Sequence, residues 1–497
     1  MRLRVAQLPP WASGLAALMA GAGATLAFAP VGWFLAAPLA LGAWFALLPG
    51  ATSRRAAWIG YAFGLGFFGT GVTWIFNSLL VFGQAPLVVA SLITVLFVLA
   101  MAVYPALLAA LAARFLPLER PAGMLALAGG LVLMELARSW LFSGFPWLLF
   151  GHAVLDTPLQ PWLPLAGELG AGLVVALLAV ALVSVFRTGQ RGLGAGLAAA
   201  LVLVSLALGA VRWVEPGGEA ISVAMVQGNI DQARKWDADG IEYSLGVYEE
   251  LTREAGDVDL VVWPETAIPA FYVEVQRPLG QLAQSLAEDE AELLVGVFDH
   301  ASAGRHVYNS VVNVTTGAGY NKRQLVPFGE YIPLRGQLDW LDRLLAIPMS
   351  DLSPGTGDGR MRVAGQTAGV SICYEAAYSR HIRAALPEAG FLVNVSNDAW
   401  FGDSLAPAQH LQIARVRAVE TGRPMIRATN TGISALIDAD GRILERSGLF
   451  TREVVTGRLQ PRHGVTPATA TGPGPAVLAA LVLVVAGAAV GRRRDRT

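Results

Sequence analysis

The chain has 497 residues, 54% of them hydrophobic, and a mean hydropathy of +0.51, which excludes an ordinary soluble protein. Its length leaves room for two or three domains. The formal net charge of −1 averages two unlike regions: residues 1–210 hold four of the 37 acids and nine of the 36 basic residues, while the chain after about 212 has a soluble composition until it turns apolar near 475. No basic stripe suggests a nucleic-acid partner.

A bilayer span takes about 20 consecutive apolar residues. Such runs fall at 8–28, 31–49, 57–81, 86–113, 121–142, 163–186, 193–212 and 474–491, so the sequence predicts an α-helical bundle of about eight spans. Seven of them lie within 1–212; the eighth, 474–491, is followed by a basic tail, 492–497. The arginines set the orientation. Arg2 and Arg4, Arg54 and Arg55, Arg114 and Arg120, Arg187 and Arg191, and Arg492, Arg493, Arg494 and Arg496 all fall on one side, while the alternate loops near 29–31, 82–85 and 143–162 carry no Lys or Arg. Both termini are therefore expected in the cytoplasm and 220–460 outside it. The first run, ending Ala27-Phe28-Ala29, imitates a signal peptide. It is long for one and is read as a retained span.

Within the fifth span Glu135 and Arg138 stand three residues apart. Ionisable groups at that depth serve either as a structural ion pair or as a site for a lipid headgroup. The loop that follows is apolar and aromatic outside any span, which suits the bilayer interface and marks Phe145 and Trp147 as candidate lipid contacts. Gly and Ala abound in the spans and favour close helix packing. No internal repeat of 20–50 residues is evident.

From Ala220 the periodicity changes. Strands are expected at 221–227, 260–263, 292–298, 307–314, 367–372, 391–396, 427–429, 432–438 and 454–459. Helices are expected at 241–254, 277–287, 379–386 and 407–420, and Asp440-Gly441 reads as a hairpin turn. Strands alternating with helices predict an α/β domain over 220–461.

The single cysteine, Cys373, ends the run 367–372, with Glu375 two residues on. A lone cysteine forms no intrachain disulfide; it packs, ligates a metal or acts as a nucleophile. Two other stretches supply what a catalytic thiol needs. Glu265 follows the short strand run in Trp263-Pro264-Glu265, and Lys322 precedes the loop Leu325-Val326-Pro327-Phe328-Gly329-Glu330-Tyr331. A lysine ammonium favours the thiolate, a carboxylate can take the thiol proton, and acyl transfer needs a donor where the carbonyl oxygen turns negative. Lys322 and a backbone N–H after Cys373, that of Tyr374, fit that last role. Glu330 and Glu375 are supporting candidates that could hold Lys322. A Cys–His dyad would need His381 or His410, neither in a recognisable protease context. The scattered histidines offer no paired metal-ligand spacing, so neither metal nor cofactor is expected. Gly355-Thr356-Gly357-Asp358-Gly359 reads as a flexible turn.

Glu265, Lys322 and Cys373, in this order and these contexts, resemble the Glu-Lys-Cys triad of the nitrilase (carbon-nitrogen hydrolase) superfamily. The resemblance implies a four-layer α-β-β-α sandwich. With the spans, the Leu325–Tyr331 loop, Cys373-Tyr374-Glu375 and Ser396-Asn397-Asp398-Ala399-Trp400-Phe401-Gly402, the whole chain is similar to the bacterial apolipoprotein N-acyltransferase family. Trp236 falls where that family carries an important tryptophan. The family resemblance implies a monomer in the bacterial inner (cytoplasmic) membrane with an extracytoplasmic catalytic domain. It implies a ping-pong reaction: Cys373 takes an acyl chain from a membrane phospholipid as a thioester, and the α-amino group of a diacylated apolipoprotein receives it. Glu265 would act as general base and acid, Lys322 as oxyanion stabiliser. Trp400, Phe401 and Arg138 join Phe145 and Trp147 as candidate lipid contacts. One alternative is a membrane-tethered nitrilase-type amidase hydrolysing a small amide, which would need no apolar access route. The other is a transporter or scaffold with an inactive domain, against which the intact triad argues.

Overall fold

The computed structural model describes residues 8–288, 290–300, 306–333 and 351–492. Arg2, Arg4, Arg493, Arg494 and Arg496 lie outside them. The chain divides into two compact units, one built from the helical segments up to residue 76, 88–212 and 470 onward, the other from 77–87 and 213–469.

In the first unit, apolar helices occupy the expected places: α1 (Pro10–Ala24), α2 (Ala36–Ala46), α3 (Ser53–Gly71), α4 (Leu87–Phe115), α5 (Pro121–Trp140), α6 (Trp162–Val185), α7 (Arg191–Gly209) and a C-terminal helix, Gly474–Arg492. Five are long and apolar enough to cross a membrane among the described residues, and a sixth if α3 is joined to Trp74–Val81 across a 52° bend. The chain is thus a membrane-integrated protein. The expected spans 8–28 and 31–49 are shorter as helices, 15 and 11 residues, because turns around Pro30, Gly32 and Pro49 are apolar too. Hydropathy alone cannot separate an apolar turn from a helix. The expected span 57–81 also breaks: α3 ends at Gly71, and a π-type turn, Ser78–Phe82, belongs to the second unit and packs against Asp398–Phe401 there.

The second unit contains two six-stranded sheets built to one plan. The strands in chain order are β1 (Val214–Pro216), β2 (Ile221–Gln227), β3 (Leu260–Val262), β4 (Glu292–His300), β5 (Val307–Asn313), β6 (Gly319–Asn321), β7 (Arg360–Val363), β8 (Gln366–Ile372), β9 (Phe391–Ser396), β10 (Met425–Thr429), β11 (Ala435–Ile437), β12 (Ile443–Arg446), β13 (Glu453–Leu459) and β14 (Arg462–Gly464). One sheet runs β13-β2-β3-β4-β5-β6, the other β12-β11-β10-β9-β8-β7. In each, three central strands are parallel and the flanking ones antiparallel. β1 and β14 form a separate antiparallel pair.

Alternation of side chains along each strand makes the layers. Ile221, Val223 and Met225 of β2 face Val370, Ile372, Val393 and Val395 of the other sheet. The intervening Ala224 and Val226 pack on Val247, Tyr248 and Leu251 of the helix Gly240–Arg253, whose inward residues recur at helical spacing. On the far side Leu411, Ala414 and Ala418 of the helix Ala406–Thr421 cover Leu392, Met425 and Ala435. The result is an α-β-β-α sandwich. Central strands buried on both faces read as continuous apolar runs, which explains their legibility. The short strands β6, β7 and β12 carry too few apolar residues to be predicted.

Candidate active site

Parallel strands deliver functional side chains at their C-terminal ends. Glu265 lies just beyond β3, where Pro264 ends the ladder and Thr266 adopts φ +47°. Its turn rests on Gly296 of β4, where any Cβ would overlap the Pro264 carbonyl oxygen. Lys322 follows β6, and its peptide N–H donates to the Asn309 carbonyl (2.8 Å). The two side chains form a buried ion pair, Nζ to Oε1 3.0 Å, and Lys322 also reaches Oε1 of Glu330 at 2.8 Å.

Two further donors reach the Glu265 carboxylate. Asn309 Nδ2 donates to Oε1 (2.7 Å) and the Asn397 N–H to Oε2 (2.8 Å). Burial pushes this carboxyl up, but Lys322 and these donors outweigh it and hold it below the ordinary value. Burial likewise pulls Lys322 down, and Glu265 and Glu330 outweigh that and hold it well above its usual value. Both groups are therefore charged across the physiological range. Glu330 is fixed in turn by Asn309 Nδ2 (3.1 Å) and the Val326 N–H (2.8 Å).

Cys373 follows β8 and opens a 3₁₀ turn, Cys373–Ala377, at φ +52°. A left-handed non-glycine residue costs about 1–3 kcal/mol and persists only where its surroundings impose it. Cys373 is buried, with 8% of its surface exposed. Burial and the nearby Glu265 charge push its pKa up, more than Lys322 pulls it down. Lys322 does favour the thiolate, as expected, but it is shared between two carboxylates and is outweighed, so the thiol rests protonated beside an ionised base.

Glu375 does not touch Lys322. Its carboxylate accepts the Ile372 N–H (2.8 Å), the Arg323 N–H (2.7 Å), the Gln324 N–H (3.1 Å) and the Tyr320 hydroxyl (2.8 Å). It thereby ties the Cys373 turn to the backbone just after Lys322. Tyr374 is half-buried and its ring meets Tyr378 edge-on. Trp236, 38% exposed, lies 6.3 Å from the Phe298 ring. Trp400 and Phe401 are half-buried on the Asp398–Phe401 turn.

The other three candidate lipid contacts sit in the helical unit. Trp147 and Arg138 are buried, and Phe145 is half-buried in a cluster with Trp74 and Trp147. Arg138 donates to the carbonyls of Phe145 (2.7 Å) and Trp147 (2.6 Å), while Glu135 Oε1 accepts the Phe150 N–H (2.8 Å). Both side chains brace the backbone of the 145–150 loop, so Arg138 and Trp147 face protein, whereas Trp140 and Phe142 of the same stretch are exposed.

Two site residues escape the sequence reading. Asn309 bridges Glu265 and Glu330, yet in sequence it is one amide in a strand. Lys235 is buried, with its Nζ donating to the Thr266 carbonyl (2.9 Å), and burial brings its pKa down to about 7. Its only sequence signal is its position next to Trp236.

The sandwich, with its buried Glu-Lys pair and a cysteine on a strained strand-end turn, has the carbon-nitrogen hydrolase fold, and residues 222–466 match the family model described as Carbon-nitrogen hydrolase. Residues 20–181 match the Apolipoprotein N-acyltransferase N-terminal domain. The chain is 41% identical over 491 residues to the apolipoprotein N-acyltransferase of Methylococcus capsulatus, covering 97% of this chain and 96% of that one. It is 39% identical to that of Azotobacter vinelandii (98% and 96% covered) and 38% to that of Pseudomonas paraeruginosa (92% and 92%). The chain belongs to the apolipoprotein N-acyltransferase family.

Proposed function

We propose that the protein transfers an acyl chain from a membrane phospholipid to the α-amino group of an N-terminal S-diacylglyceryl-cysteine on apolipoproteins. The Cys373 thiol attacks an acyl ester carbonyl while Glu265 takes its proton. The tetrahedral oxyanion is stabilised by Lys322 and the Tyr374 N–H. Collapse breaks the ester C–O bond, Glu265 returns the proton to the glycerol oxygen, and a lysophospholipid leaves. The acceptor amine then attacks the thioester, Glu265 accepts its proton, and the thiolate is released and reprotonated. The observation that carries this reading is the buried carboxylate that Lys322, Asn309 and the Asn397 N–H hold in its ionised form near the Cys373 turn. A base with its proton already in place would be idle.

An amine held in position outcompetes water because orientation is worth effective molarities of about 10⁵ M or more. The test loads the protein with acyl-labelled phospholipid, then adds a diacylglyceryl-cysteine peptide. Label should persist on Cys373 without the peptide and move into amide linkage with it. Release as free fatty acid at one rate in both cases would make the protein a lipid hydrolase.

The same proposal places the protein in the inner membrane as a monomer, with eight crossings, cytoplasmic termini and the sandwich outside the cytoplasm. The one-sided arginines support it. The two short helices α1 and α2 enter as a pair, so the orientation of the others is the same whether these cross or re-enter. A topology reporter at Asp257 scoring as cytoplasmic would overturn this orientation.

A further inference from the structure

Beneath the Cys373 turn lies a buried polar cluster that the proposed chemistry leaves unused. His410, near the start of the helix Ala406–Thr421, has no exposed surface. Its Nε2 lies 3.1 Å from the Cys373 carbonyl oxygen. Its Nδ1 lies 3.0 Å from Asp398 Oδ1 and 3.0 Å from Arg427 Nη2. Arg427, at the centre of β10, donates to Asp398 Oδ2 (2.8 Å) and to Asn394 Oδ1. Asn394 Nδ2 lies 3.4 Å from the same Cys373 carbonyl. The ring edge of Phe401 meets His410 at 6.0 Å.

The proton inventory assigns the histidine's state. Burial pushes the Asp398 carboxyl up, but Arg427 and His410 outweigh it and keep it ionised; burial and Arg427 keep His410 neutral. A neutral imidazole carries one N–H. On Nδ1 the proton would meet Asp398 Oδ1 but would face the Arg427 N–H and leave the Nε2 lone pair against the Cys373 carbonyl oxygen; on Nε2 it serves that carbonyl and lets Nδ1 accept from Arg427, so the imidazole proton belongs on Nε2.

That carbonyl is half of the peptide whose other half is the Tyr374 N–H. In a planar trans peptide the C=O and N–H point to opposite sides. A donor on the oxygen therefore directs the N–H away from His410, and hydrogen bonds in series also polarise one another. We propose that His410 is a positioning residue for acyl transfer: its Nε2–H holds the Cys373–Tyr374 peptide so that the Tyr374 N–H is aimed at the developing oxyanion. Asp398 and Arg427 hold the ring for that purpose, and Asp398 lies on the same turn as Trp400 and Phe401. This inference rests on the acyl-enzyme reading above.

The test separates reactions that build an oxyanion from one that does not. Full-length protein is given labelled phospholipid without acceptor, and Cys373 is alkylated by iodoacetamide in parallel; displacement at a saturated carbon creates no oxyanion. His410→Ala should slow acylation at saturating phospholipid by roughly 10²–10³-fold, the usual cost of an oxyanion donor. The half-saturating phospholipid concentration and the alkylation rate should stay near wild type. His410→Gln, whose side-chain amide can reach the same carbonyl, should recover much of the loss, and His410→Leu none. Equal losses of acylation and alkylation, or Gln performing no better than Leu, would overturn the assignment. If the Ala and Leu variants do not fold, the acylation-to-alkylation ratio of His410→Gln against the shorter His410→Asn decides, and equal ratios overturn it. Wild-type protein that never becomes acylated refutes the acyl-enzyme reading itself; acylated wild type with indifferent His410 variants refutes only the role of His410.

Discussion

In the helical unit each long helix satisfies its own backbone, so neighbouring helices approach until their smallest residues touch. A Cβ at Gly21 of α1 would overlap the Phe63 carbonyl oxygen of α3, and one at Gly66 of α3 would overlap that of Leu18. The buried charges of this unit, Glu135 and Arg138, hold a single loop. The sandwich keeps its sheets apart with branched side chains and gathers its charges in clusters: Glu265, Lys322 and Glu330 beyond strand ends, and Asp398 with Arg427 around His410 in another. The comparison teaches where each unit is vulnerable. In the bundle the sensitive quantity is distance between backbones; in the sandwich it is the pairing of charge.

The most severe way to test that contrast is to unpair the catalytic cluster. Lys322→Met leaves buried Glu265 and half-buried Glu330 without their common cation. Removing one partner of a buried ion pair costs about 3–5 kcal/mol, and acyl-enzyme formation should fall by roughly 10²–10³-fold. Chemical denaturation and single-turnover labelling measure the two losses. Near-normal labelling would remove Lys322 from the mechanism.

A smaller loss is expected from a methyl-scale intrusion in the bundle. Gly21→Val must push α1 from α3, and overpacking costs about 1–3 kcal/mol. Gly196→Val on α7, where a Cβ meets nothing within 4 Å, is the control. Equal melting temperatures for the two variants would show that close approach is not what this unit depends on.

Asn309→Leu sharpens the electrostatic side. The Glu265 carboxyl sits below its ordinary value of 4.5, so its contribution to stability is present above that pH and is lost as pH falls through the folded value. Acyl-enzyme formation should follow the same carboxyl, with an acidic limb beneath pH 4.5 in the wild type. Removing the Asn309 donor raises the carboxyl, so the limb should move to higher pH. An unmoved limb in a pH series would deny Asn309 this role. The least effect belongs to an exposed pair. Arg253 is paired with Glu249 at 3.4 Å on a helix surface, and Arg253→Ala should cost no more than about 0.5 kcal/mol in denaturation.

The sequence by itself determined what depends on composition along the chain. Long apolar runs marked the helices, one-sided arginines suggested an orientation, and doubly buried strands such as Phe391–Ser396 announced themselves as unbroken apolar segments. Motif context singled out Glu265 and Cys373, each at the end of a strand-like run, and Lys322, which precedes the Leu325–Tyr331 loop. Tertiary structure decided everything that depends on which strand ends become neighbours. The Glu265–Lys322 pair joins residues 57 apart, and the order of strands in the sheet, not any local pattern, brings them to 3.0 Å. For the same reason Asn309 and Lys235 were silent in sequence, and His410, weighed only as a dyad partner, gave no sign of its place: a polar residue amid apolar ones looks alike whether it meets water or a catalytic group. The protonated resting thiol was equally illegible, since burial and two carboxylates compete with one lysine and only their positions say which prevails. The breaks at Gly71 and around Pro30 were hidden because turns inside a membrane protein are as apolar as the helices they join.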